Sequence, residues 1–143
     1  MQWNNKYIYP KSTRSIFQGS RHYSVNQENL PSVTTILKAT ESDEKKAKLE
    51  EWKKRVGYKQ AEVISREATS RGSSMHDYLE KFLLGKLNMD LLGHNTREKL
   101  MADQIIENGL RDKLSEIWGC EATLYYPGKY AGAADCIGIY ENK

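Results

Sequence analysis

Apolar residues keep a helical period through the middle of the chain and give way to strand-like runs toward its end. Residues 1–29 hold no sustained period. Tyr7-Ile8-Tyr9 and His22-Tyr23-Ser24-Val25 are long enough for short strands, and Gln18-Gly19-Ser20 is a turn signal. Together they predict a small hairpin or an extended arm. Leu30-Pro31-Ser32 opens a short helix, with Ser32 as its cap and Val33, Ile36 and Leu37 on the buried face. Segment 40–56 reads as a charged amphipathic helix that starts at Ser42-Asp43-Glu44-Lys45 and carries Leu49, Trp52 and Val56 as its stripe. Gly57 marks a break. Segment 58–70 is again helical, with Ala61, Ile64 and Ala68 inward.

Arg71-Gly72-Ser73-Ser74 predicts a kink or a cap before a further helix. That helix runs to about Leu84 and presents Met75, Leu79, Phe82 and Leu83 to a core. A loop follows over 86–96, with one helical turn at 89–92. Segment 97–117 then reads as a helix with Leu100, Ile105, Leu110, Leu114 and Ile117 on its apolar side, bent or broken at Gly109. From Trp118 the composition turns to strand. Two strands, 118–126 and 130–140, flank a turn at Pro127-Gly128-Lys129. The small residues Ala131, Gly132, Ala133, Ala134 and Gly138 predict close approach to the second strand. The expected fold class is α/β (α+β) in one domain over 1–143: an arm or hairpin at 1–29, a helical part at 30–117, and a β-hairpin at 118–143.

Bulk properties narrow the class only a little. With 38% hydrophobic and 29% charged residues the chain suits a polar globular protein. The net charge of +3 permits a polyanionic partner without demonstrating one. No apolar run approaches the ~18 residues of a membrane span, and Met1-Gln2-Trp3-Asn4-Asn5-Lys6 has no apolar signal core, so no membrane partner and a cytoplasmic location are expected. Cys120 and Cys136 are too few for a zinc motif and are expected to be free thiols.

Candidate chemistry concentrates in two places. Gly72, His76 and Glu80 are spaced i, i+4, i+8 and lie on one ridge of their helix. An imidazole and a carboxylate there can serve as metal ligand and supporting group, or as a core-edge histidine beside a solvated glutamate. In the hairpin, a loop of residues 127–129 pairs Tyr126 with Tyr130. Paired numbers then sum to 256, so Glu121 stands opposite Asp135 on a shared face. A one-residue slip would put the two carboxylates on opposite faces. Elsewhere, Thr34 and Thr35 can donate to a phosphate or simply cap their helix. The aromatics and bases of the arm (Tyr7, Tyr9, Arg14, Arg21, His22, Tyr23) can touch nucleic acid or pack the arm down.

Three motifs together resemble a known family. Gly72-x-x-x-His76-x-x-x-Glu80 resembles the first motif of RecB-type nucleases of the PD-(D/E)XK superfamily. Tyr130-Ala-Gly-Ala-Ala-Asp135-Cys-Ile-Gly138 resembles the strand that carries their first catalytic aspartate. Leu30-Pro-Ser-Val-Thr-Thr-Ile-Leu37, followed by Trp52-Lys-Lys-Arg-Val56, is a third match, and the set in this order resembles the exonucleases of tailed cyanophages and of mitochondrial genome maintenance. The resemblance covers about 7–143. It implies a restriction-endonuclease-like core and a Mg2+ (or Mn2+) dependent DNA exonuclease acting on DNA with a free end or single-stranded DNA. Asp135 and His76 are then metal ligands, Asp135 and Glu121 catalytic candidates, and Glu80 and Gly72 supporting residues. Ser32, Thr34, Lys53, Arg55 and Arg71 become candidate nucleic-acid contacts.

The chain departs from that pattern at the Asp/Glu-x-Lys that completes the family's site. Glu141-Asn142-Lys143 matches as text. However, six residues of extended strand separate Asp135 from Glu141 by about 20 Å, whereas groups sharing a metal pair converge on ions ~4 Å apart. The expectation is therefore an N-terminal part of such an enzyme, with the acid and lysine supplied by further residues or by a second chain. A non-catalytic nucleic-acid-binding or partner-binding remnant is the alternative, and a stand-alone interaction protein is a third reading.

Overall fold

The computed structural model describes residues 1–86 and 96–143. The helical turn expected at 89–92 lies outside them. Eleven residues in, the chain begins a three-stranded antiparallel meander of β2 (Ser12–Phe17), β3 (Ser20–Val25) and β4 (Glu28–Pro31), preceded by a short β1 (Gln2–Trp3). Both meander turns have two consecutive residues at positive φ, Gln18 and Gly19 (49° and 75°) and Asn26 and Gln27 (48° and 67°). Such turns match the right-handed twist of the strands they join.

The arm is thus a sheet, and β4 takes Leu30 and Pro31, which the sequence assigns to a helix start. Segment 7–9, expected as a strand, is unpaired. The Tyr7 ring packs edge-on against Trp118, 5.6 Å between centroids, and Tyr9 lies over Gly119, where an added Cβ would meet the ring at 2.7 Å. The aromatics hold the connection down by side-chain packing, so its backbone needs no ladder.

Ser32 caps α1 (Val33–Ala39) and Ser42 caps α2 (Asp43–Val56), each hydroxyl accepting from the amide three residues on. Gly57, at φ 89°, separates α2 from α3 (Tyr58–Leu83). The kink or cap expected at 71–74 is absent: α3 runs unbroken for 26 residues, about 39 Å. Gly72 costs a helix interior ~1 kcal/mol. The packing of Met75, Tyr78, Leu79 and Phe82 against the next helix outweighs it. The expected stripes of the first helices stay largely uncovered. Neither α1 nor α2 has a buried residue, Leu49 is exposed, and of Ala61, Ile64 and Ala68 only Ala61 is buried.

α4 (Arg97–Ile105) starts at a Thr96 cap and ends in a π-helical turn, Ile106–Leu110, that contains Gly109. The helix expected to reach 117 has already become β5 (Leu114–Tyr126), which pairs antiparallel with β6 (Tyr130–Tyr140) and parallel with β1. Register shifts at Ser115 and Trp118 explain the helix-like pattern there. Each inserts one residue into the pleat, so Leu114, Ile117 and Cys120 fall on one face at intervals of three, a spacing that mimics a helix. These three pack with Leu83 and Cys136 under the end of α3.

The architecture is mixed α and β. One three-stranded sheet has the order β1-β5-β6 and the other β2-β3-β4. The meander sits on the hairpin through Tyr23, Val25, Leu30 and Ala131. Ser12 hydrogen-bonds Thr123 (2.7 Å), and the Asn26 amide donates to the Tyr125 hydroxyl (2.6 Å). Among the described residues no helix is long and apolar enough to cross a membrane.

Candidate functional site

Helix periodicity and strand register meet at one place. His76 and Glu80 are one turn apart on α3, whose last turns are anchored on β5 and β6 by Leu83. Around Glu121 the hairpin keeps the register that its three-residue loop dictates, with Cys120 paired to Cys136 and Ala122 to Ala134. Glu121 and Asp135 fall between those pairs on the two strands, and the charge of Asp135 bears on the Glu121 carboxyl. Glu121 adopts φ 50°, a left-handed conformation that costs a non-glycine residue roughly 1–2 kcal/mol. Nothing in the sequence signals that strain, and backbone strain of this kind concentrates at functional sites.

His76 Nδ1 lies 3.6 Å from Asp135 Oδ1, with both side chains about half exposed or more. Together with Glu80, Glu121, Leu79 and Cys136 they line a pocket of about 140 Å³. Burial holds the Glu121 carboxyl above the usual carboxylate range, and the nearby charges of Asp135 and Glu80 push it the same way, while His76 opposes them. Burial raises the neighbouring thiols too, Cys120 to about 11, with Glu80 and Cys136 adding to the effect. A carboxyl raised by burial and by neighbouring anions, as Glu121 is, sits in the environment a cation relieves.

The donor set suits a hard divalent ion: carboxylate oxygens with one imidazole nitrogen. Ligands ~2.1 Å from an octahedral ion stand between about 3 and 4 Å apart, and the His76–Asp135 separation of 3.6 Å lies within that span. Among the described residues no three such groups are already arranged to hold a metal. The half-buried Glu80 or the partly desolvated Glu121 would have to turn toward the His76–Asp135 pair to complete such a set.

Other residues singled out from the sequence lie elsewhere. Gly72 is one turn back along α3, and an added Cβ there meets nothing within 4 Å, so no close contact requires glycine. Ser32 is buried at 2% exposure, and its hydroxyl is engaged by Thr34, Thr35 and the Thr35 amide, which is the capping role. Lys53, Arg55 and Arg71 line neither this pocket nor the groove beside it. Glu141 to Lys143 form a turn, with Lys143 N bonded to Tyr140 O and Glu141 held at Lys113.

Thr34 does line that groove, a cavity of about 590 Å³ that shares Glu121 and Asp135 with the pocket. Its other walls include Arg14, Arg21, Tyr126 and Tyr130. The sequence points to the two arginines only as part of an aromatic and basic arm. Strand parity, once the turn at 18–19 is fixed, puts them on one face. No family model, curated protein or solved structure matches this chain.

Proposed function

We propose that the protein is a metal-dependent phosphodiesterase acting on DNA, built on a restriction-endonuclease-like core, with His76 and Asp135 as metal ligands. The observation that carries this reading is the convergence of His76 and Asp135 to 3.6 Å from two motifs far apart in the chain, with Glu121 beside them. A bound Mg2+ or Mn2+ would offset charge on the scissile phosphate and acidify a water. Asp135 and His76 would hold the ion, Glu121 would orient the attacking water, and Glu80 would support His76. The mixed sheet with α3 laid across the acidic hairpin supports the same core.

Among the described residues no lysine or arginine lines the pocket. In this proposal the acid and lysine that complete hydrolysis come from another segment or a second chain, and Glu141 and Lys143 are not that pair. The test is degradation of end-labelled DNA in Mg2+ or Mn2+ by the wild type beside Asp135→Ala. Activity lost in the variant supports the reading. A folded wild type with no activity, and no metal-induced rise in melting temperature, would make the chain a non-catalytic binding module.

A further inference from the structure

The groove between the meander and the hairpin has a composition that the acidic pocket does not explain. Arg14 pairs with Tyr23 across β2 and β3, and Arg21 lies two residues before Tyr23 on β3. Side chains at opposed and i±2 positions share a face, so both guanidinium groups belong to the surface that walls the groove. Both residues are exposed. Among the described residues neither forms an ion pair or a side-chain hydrogen bond, so neither is committed to holding the fold. From the hairpin, Tyr126 and Tyr130 also line the groove, their rings stacked at 6.0 Å between centroids and 29° between planes, and both are exposed. The groove then runs on to Glu121 and Asp135.

We infer that this groove is a binding subsite for a nucleic-acid strand that leads to the acidic pocket. Uncommitted arginines present a planar fork to phosphate oxygens. An exposed tyrosine pair offers π-faces to unpaired bases, whatever their identity. The two chemistries along one groove match the alternation of backbone and base along one strand. The far end is anionic, so a phosphate approaches Asp135 only with a cation between them, while Arg14 and Arg21 need none. Binding at the subsite is therefore independent of metal. The direction of the strand toward hydrolysis rests on the function proposed above; the subsite itself does not.

The experiment is fluorescence anisotropy with an end-labelled single-stranded oligodeoxynucleotide, in EDTA and about 50 mM salt, where hydrolysis cannot occur. Arg14→Ala/Arg21→Ala is expected to raise Kd tenfold or more. It should also lower the slope of log K against log salt by about 1.4, or ~0.7 for each phosphate that is no longer neutralised. Tyr126→Ala/Tyr130→Ala should raise Kd about tenfold with the salt slope unchanged. Asp135→Ala should bind as tightly as the wild type or more tightly, because an anion has gone. Circular dichroism verifies that each variant is folded. Wild-type affinity in the arginine variant, or no binding by the wild type, overturns the subsite. If Asp135→Ala abolishes cleavage while the arginine variant binds normally, the subsite fails and the hydrolase reading stands. If no preparation cleaves but the arginine variant loses binding, the subsite stands alone.

Discussion

His76 Nδ1 and Asp135 Oδ1 stand 3.6 Å apart, one on the last third of a long helix and the other on the outer strand of the hairpin. Neither element alone sets this distance. It depends on Leu83 seating the end of α3 against Leu114 and Ile117, and on α4 bracing Met75 and Tyr78 from the other side. If the pair holds a cation, Mg2+ or Mn2+ should raise the melting temperature by mass action, with a stabilisation of about 2.7 kcal/mol at a hundredfold excess over Kd. Asp135→Ala should abolish the shift and His76→Ala should shrink it. A shift that survives Asp135→Ala places the ion elsewhere.

Glu121 should behave as a pH-sensitive liability. Its carboxyl is raised by burial first and by Asp135 and Glu80 next. Proton binding is therefore stronger in the folded chain than in the unfolded one. The stabilisation this brings is complete below the unfolded value of ~4.3 and is lost as pH rises through the raised folded value. At neutral pH the ionised group opposes folding, so Glu121→Gln should raise the melting temperature there by on the order of 1–3 °C. At pH 4 the gain should fade. Equal gains at both pH values would mean that charge is not the cause.

The thiols next to the site should be slow. With Cys120 raised to about 11, little thiolate exists near pH 8. Alkylation of Cys120 in the native protein by iodoacetamide should run on the order of a hundredfold slower than that of a free cysteine. The rate should climb about tenfold per pH unit toward 11 and jump on unfolding. Labelling of Cys120 at the speed of a model thiol, followed by mass spectrometry, would contradict the half-buried pairing of Cys120 with Cys136.

Gly138 is confined by the register shift opposite it. A Cβ there would overlap the Glu116 carbonyl oxygen and reach Ile117 Cα at 3.3 Å, both backbone atoms that cannot swing aside. Gly138→Ala should cost roughly 1–3 kcal/mol or more, read as a fall in the urea midpoint. Gly72→Ala, in open space on α3, should instead be neutral or slightly stabilising.

Lys143→Ala should change little. The turn at 141–143 is held by backbone bonds between Tyr140 and Lys143 and by Glu141 N to Lys113 O. Removing the Lys143 side chain leaves those bonds intact. A metal-dependent activity abolished by this change alone would overturn the placement of the site around Asp135.

Where sequence and structure agree, one local rule governs. Ser32, Ser42 and Gly57 mark helix ends because capping is decided within a turn or two. The loop at 127–129 dictates the pairing that brings Glu121 to Asp135, since hairpin register propagates from its turn. The failures share a different cause. Two bulges disguise the start of β5 as helix. The Asn26-Gln27 turn, which makes β4, lacks the glycine that usually announces such a turn. Strand β1 is two residues long and pairs with a partner far downstream, so no local pattern could reveal it. The His76–Asp135 proximity is expected from resemblance alone; periodicity can place each residue on its element but not one element against the other.

The pairing of β1 with β5 also sets an order of events during synthesis. The Asn4 amide side chain bonds a Glu116 carboxylate across a sequence separation of 112 residues, and Trp3 Nε1 donates to Leu83 O. At about 5–20 residues per second, Asn4 waits roughly 6–22 s for that partner. The meander, whose contacts are local, can close meanwhile and carry an unpaired N-terminal strand. On the ribosome, then, a segment made about a hundred residues before its partner is among the last to find its place.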